Sequence, residues 1–264
     1  MYRISPVVKN LLIINVLFFA ATYLFGMQFN VDLTRHLALY YPGSEYFRPY
    51  QYVTYMFMHG GMAHIFFNMY ALWLFGSAIE NSWGGKRFLF YYLFTGIGAA
   101  VLHTFVNYLV NSGMASAITA FQNTPSPELF KQFAESHKGF FNQNVYDFIH
   151  QWSLSPDNPS YIATALENMY RVYQATINIP TVGASGAVFG ILLAFGMMYP
   201  NAQLMLIIPP IPVKAKWLVV GYGVLELVLA FSQPGSNIAH FAHLGGMLFG
   251  FILIKYWIAQ ARRQ

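Results

Sequence analysis

Gly183-Ala184-Ser185-Gly186 opens an apolar run that reaches Tyr199 without a charged residue. A run of that kind fits a membrane helix, and a hydroxyl at its head calls for an explanation. Serine is common where membrane helices pack, so Ser185 alone reads more readily as a packing residue than as a nucleophile. Its meaning depends on what else the chain places at the same depth.

The whole composition agrees with a membrane protein. Of 264 residues, 56% are hydrophobic and 9% charged, against about 25% charged in an ordinary globular domain. There is no cysteine, which excludes disulfides, thiolate metal sites and a cysteine nucleophile. The formal charge of +5 comes from scattered Lys and Arg residues. No basic patch forms, so nucleic acid is not an expected partner. The bilayer is.

Six apolar segments approach the roughly 17–25 residues that a crossing needs: Leu11–Phe25, Met58–Ile79, Phe88–Val110, Gly183–Tyr199, Trp217–Phe231 and Ile238–Ile258. The first, fourth and fifth are short and are expected to extend at their ends. The first has no small-residue cleavage site beyond Ala20 and Ala21 inside the run, so it reads as a spanning helix rather than a secretory signal. The chain is expected to be one multi-pass membrane domain over 1–264, with a 70-residue extramembrane insert over 111–180. Within that insert, Leu129–Phe141 and Tyr161–Ile177 have the pattern of amphipathic helices.

Loop charge sets the expected orientation. Nine basic residues (Arg3, Lys9, Lys86, Arg87, Lys214, Lys216, Lys255, Arg262 and Arg263) flank one side, and five (Arg35, Arg48, Lys131, Lys138 and Arg171) lie in the longer loops of the other. The positive-inside rule then puts both termini in the cytoplasm. No organelle-targeting segment is evident, which points to a bacterial inner (plasma) membrane.

In that topology the second, fourth and sixth helices all start from the non-cytoplasmic side. Ser185 and His243 lie near that surface, with His64 roughly 10 Å below it at 1.5 Å per residue. A serine hydroxyl needs a base, and histidine is its commonest partner. His64 and Asn68 are four residues apart, on one helix face, and both can donate hydrogen bonds. These three helices carry no acidic residue at this depth, so a Ser–His dyad fits better than a triad. Gly186 and Gly190, and Gly246 and Gly250, repeat at the spacing that lets membrane helices approach. They are expected to bring the fourth helix against the sixth.

At these residues the chain resembles the rhomboid intramembrane serine proteases. The resemblance lies in Gly183-Ala184-Ser185-Gly186, in His243-Leu244-Gly245-Gly246 with Gly250, and in His64-Ile65-Phe66-Phe67-Asn68 after Met58-His59-Gly60-Gly61. It covers roughly residues 8–110 and 180–258. It implies an all-α, six-helix bundle that hydrolyses peptide bonds in or beside the membrane helices of substrate proteins. It implies Ser185 as nucleophile and His243 as base, then acid. It makes His64, Asn68, Gly183 and the Ser185 backbone amide candidate oxyanion groups. It also implies that the fifth helix and the first loop govern lateral substrate entry. No cofactor and no metal is implied. Phe189 stands where many relatives stack a tyrosine on the histidine, so stacking is retained without the hydroxyl. The long insert also departs from the minimal bacterial form.

Other residues read as structural. His240 lacks the glycine context of His243 and is assigned a structural or interfacial role, and His59 and His103 are structural too. Glu80 is expected to cap or anchor a cytoplasmic turn, and Glu226 to make a structural hydrogen bond in preference to a gating role. A metal held by His59, His64, His240 and His243 is conceivable but lacks a carboxylate or thiolate beside it. A client-binding protein without catalysis is the main alternative, although such relatives usually lack the serine or the histidine. A histidine relay for transport would call for inverted repeats, which the sequence does not show. The sequence carries no signal of oligomeric state.

Overall fold

A computed structural model describes residues 4–205, 210–232 and 239–263. Arg3 and Ile238, used above, lie outside the described residues. The protein is an all-α polytopic membrane protein. Among the described residues, five helices are long and apolar enough to cross a bilayer. The chain divides into two compact units.

The first unit holds 1–39, 46–104 and 180–264. It begins with α1 (Pro6–Phe29), short α2 (Leu33–Leu37) and α3 (Gln51–Thr54). A second crossing is α4 (Met62–Ala71) and α5 (Ser77–Trp83), continuous through a π turn at Leu72–Gly76. Next comes α6 (Gly85–Asn123), which belongs to this unit as far as Thr104. Pro6 occupies the first turn of α1, where its missing N–H costs nothing. The next two amides, of Val7 and Val8, donate to the Glu80 carboxylate at 2.9 and 2.8 Å. Glu80 therefore caps the first turn of α1. The negative charge also suits the positive end of the α1 dipole.

The second unit holds 40–45 and 105–179. Here α6 continues to Asn123, followed by α7 (Pro127–Ser136), α8 (Asn144–Ser153) and α9 (Pro159–Ile177). Ser126 and Asn158 cap α7 and α9, each with proline next in sequence. Phe121, Phe130, Phe133, Trp152 and Met169 form a separate core. The helix of the third expected span does not stop at Val110 but runs on through Asn111-Ser112-Gly113. The Ser112, Ser116 and Thr119 hydroxyls donate to carbonyls three or four residues back, and Met114, Ile118 and Phe121 are buried. At 39 residues, α6 is about 58 Å long, well beyond a bilayer core of about 30 Å.

Returning to the first unit, α10 (Ser185–Met198) is a 14-residue apolar helix, below the length of a full crossing. It begins at Ser185 and not at Gly183, because Gly183 has a φ of 125°. Strands β1 (Gln203–Met205) and β2 (Pro212–Lys214) pair antiparallel, and α11 (Ala215–Ser232) and α12 (His240–Ala261) follow. Eight residues of α10 are buried, whereas α1, α11 and α12 expose many large apolar side chains. An apolar outer face around a buried central helix is what lipid, not water, accommodates.

Candidate active site

The chain enters α10 through a tight approach. The Gly183 N–H donates to the Tyr55 carbonyl at 2.9 Å, and Thr181 bridges to Leu39 in a short antiparallel contact. Burial pushes the Tyr55 phenol up, so it stays protonated and donates to the Gly96 carbonyl at 2.7 Å. Gly183 needs its positive φ, and a methyl group there would meet the His64 ring at 2.8 Å. Ser185, as the first residue of α10, has a backbone N–H with no intrahelical acceptor.

Glycine brings α10 to α12. A Cβ on Gly246 would overlap the Gly186 carbonyl oxygen, so these two backbones touch. The other glycines do different work from that expected. Gly190 faces Thr95 of α6, and Gly250 faces Tyr91 and Thr95 of the same helix. The Tyr91 hydroxyl donates to the Gly190 carbonyl at 2.8 Å. The small-residue seam thus joins three helices, with α6 filling the groove on one side.

That contact sets Ser185 beside His243. Ser185 Oγ lies 2.8 Å from His243 Nε2. Phe189, one turn into α10, stacks on the imidazole with centroids 4.3 Å apart and planes 5° from parallel. His243 is buried, while Ser185 and His64 are half-buried. The hydroxyl is therefore reachable where its partner is shielded.

His64 approaches from α4. The Gly60 N–H donates to His64 Nδ1 at 3.3 Å, so the ring proton sits on Nε2. Nε2 is one of the two ring atoms closest to Gly183. Asn68 is buried one turn further along α4, and its Nδ2 donates to the His64 carbonyl at 2.9 Å. His59 precedes α4 rather than lying in it, because Gly60 and Gly61 delay the helix start to Met62. Its ring stands edge-on to His64 at 5.1 Å. Burial and the neighbouring His64 push the His59 imidazole down to about 4, which keeps it neutral. His103 bonds the Thr181 hydroxyl at 2.9 Å.

Glu226 makes the hydrogen bond expected of it, and does so beside the same histidines. Glu226, on α11, presents Oε2 to His240 Nδ1 at 2.6 Å and Oε1 to His243 Nδ1 at 3.1 Å. The second is an ion-pair distance reached off the ideal hydrogen-bond line. Glu226 lies on a fourth helix, outside the three considered from sequence. The available signal was a lone carboxylate within an apolar helix, which must find a partner. Among the described residues, Glu226, His240 and His243 are the one group of three such side chains with their ligand-type atoms within 4.8 Å. Within the cluster, Glu226 bonds His240 and approaches His243. It differs from the four-histidine set considered from sequence.

The Rhomboid domain family model matches residues 46–135 and 152–260. Rhomboid protein 1, mitochondrial, of Saccharomyces cerevisiae is 32% identical over 104 residues, 39% of this chain and 30% of that protein. Rhomboid protease GluP of Bacillus subtilis is 36% identical over 66 residues, 25% of this chain and 13% of that protein. Presenilin-associated rhomboid-like protein, mitochondrial, of Bos taurus is 24% identical over 205 residues, 76% of this chain and 36% of that protein. The matches thus span 13–36% of the length of these relatives.

Proposed function

The chain belongs to the Rhomboid family, and from that premise we propose that it is an intramembrane serine endopeptidase acting on transmembrane proteins. The observation that carries the proposal is the 2.8 Å contact between Ser185 Oγ and His243 Nε2 at the closest approach of two membrane helices. Ser185 is the nucleophile. His243 takes its proton as Oγ bonds to the carbonyl carbon of the scissile peptide. The oxyanion that forms is met by the Ser185 N–H at the start of α10 and by the His64 Nε2–H. Asn68 supports the His64 segment through its bond to the His64 carbonyl. His243 then protonates the leaving amine. A water, deprotonated by His243, releases the acyl chain from Ser185.

Six crossings, with α10 as the short central one, fit this function. Loop charge favours cytoplasmic termini and a site opening to the opposite side, in a bacterial plasma membrane. The insert over 111–180 belongs to the same membrane domain as an extramembrane element. A client-binding role without catalysis is disfavoured by the presence of both Ser185 and His243 in hydrogen-bond contact.

The test is cleavage of a single-span substrate co-reconstituted in liposomes. The wild type should generate product in the presence of a chelator, and Ser185→Ala should generate none. Full cleavage by Ser185→Ala would sink the assignment. Stable capture of the substrate without product from the wild type would favour the binding role.

A further inference from the structure

Glu226 is the sole acidic residue of α11 and α12, and it is buried. A carboxylate in such a place is costly unless its oxygens are paired. An apolar side chain would anchor α11 to α12 with no such penalty. The two Glu226 oxygens are divided between two histidines of α12, one of which touches Ser185. A continuous line of contacts results: Ser185 Oγ to His243 Nε2, His243 Nδ1 to Glu226 Oε1, and Glu226 Oε2 to His240 Nδ1.

Two requirements on His243 are met by this line. To accept a proton at Nε2, the neutral ring must carry its own proton on Nδ1. That buried N–H needs an acceptor, and Glu226 Oε1 is the acceptor beside it. The ring must also be turned correctly. Phe189, stacked nearly parallel, fixes the plane of the imidazole but leaves it able to turn within that plane. A contact at Nδ1 fixes that turn. The tight His240 bond holds the carboxylate from its other side.

We propose that Glu226 is a positioning residue, which holds the His243 imidazole in the tautomer and rotation that present Nε2 to Ser185, with His240 as its second anchor. The proposal rests on the serine-protease reading above. When Ser185 Oγ bonds to the peptide carbon, its proton passes to Nε2 and then to the amine nitrogen as the C–N bond breaks. The Nδ1 proton stays in place, and Glu226 remains ionised opposite the transient imidazolium.

The experiment uses the full chain in lipid, labelled with ¹⁵N-histidine, with the His243 signals assigned by their loss in His243→Ala. Wild type should show His243 protonated at Nδ1. In Glu226→Gln that tautomer should lose its dominance, while kcat falls by up to about 10⁴-fold with little change in KM. An unchanged tautomer with kcat within about twofold of wild type would overturn the proposal, and so would a lowered melting temperature with the tautomer unaltered. Should Glu226→Gln not fold, His240→Gln removes the second anchor and is read in the same two ways. A wild type that cleaves nothing defeats the protease reading, and the tautomer measurement still decides the role of Glu226. A wild type that cleaves, with a tautomer indifferent to Glu226, defeats the Glu226 role alone.

Discussion

Substituting Gly246→Ala should disable the site without touching either reactive side chain. The added methyl would overlap the Gly186 carbonyl oxygen, where ordinary contact is 3.4–4 Å. Full relief would part the α10 and α12 backbones by about 1.6 Å, and even a partial shift of about 1 Å carries an overpacking cost of about 1–3 kcal/mol. Ser185 neighbours Gly186, and His243 lies one turn before Gly246, so the displacement passes directly to their 2.8 Å contact. It lengthens to roughly 3.8 Å, outside hydrogen-bond range. A misplacement of about 1 Å at reacting groups can cost about 100-fold in rate. Initial cleavage rates in liposomes should therefore fall by about that factor or more, with labelling of Ser185 by a serine-hydrolase probe falling in parallel. The control is Gly221→Ala on α11, where an added Cβ meets nothing within 4 Å, and activity should be unchanged. Wild-type cleavage and labelling in Gly246→Ala would refute the claim that glycine contact sets the Ser185–His243 distance.

Three other outcomes can be measured with the same preparation. His64→Ala should lower kcat by about 100-fold with little change in KM, as loss of one oxyanion donor does; a purely KM effect would remove His64 from that role. Phe189→Tyr should keep the stacked ring and near-wild-type rates, whereas Phe189→Ala should lose about 1 kcal/mol of aromatic contact and several-fold in kcat; equal rates in both would show that the stack does not hold His243. Glu80→Gln should lower stability to denaturation by about 1.5–3 kcal/mol, because the two α1 amides lose a charged acceptor. Identical unfolding midpoints would show that the cap contributes nothing.

Sequence exposed the parts of the site that obey periodicity. Apolar runs marked the five helices long and apolar enough to cross a bilayer and the shorter α10, and the places of Ser185, His243 and His64 near their helix starts followed from counting residues. It did not expose contacts made by tertiary packing. Gly190 and Gly250 carry the same spacing signal as Gly186 and Gly246, yet they pack on α6, and nothing in a four-residue spacing names the partner helix. The run Asn111-Ser112-Gly113 has local preferences against helix, and tertiary burial of Met114, Ile118 and Phe121 overrides them. Helix α8 escaped notice within the insert, although its apolar face packs Ile149 and Trp152 into the second core. Glu226 was visible as a costly residue, but its partners became apparent only when α11 was placed beside α12.

The most direct measurement is mass-spectrometric mapping of the covalent adduct formed by a mechanism-based serine-hydrolase probe on the full chain in lipid. A single adduct on Ser185 is expected in the wild type and none in His243→Ala. An adduct on another residue, or undiminished labelling of Ser185 in His243→Ala, would contradict it.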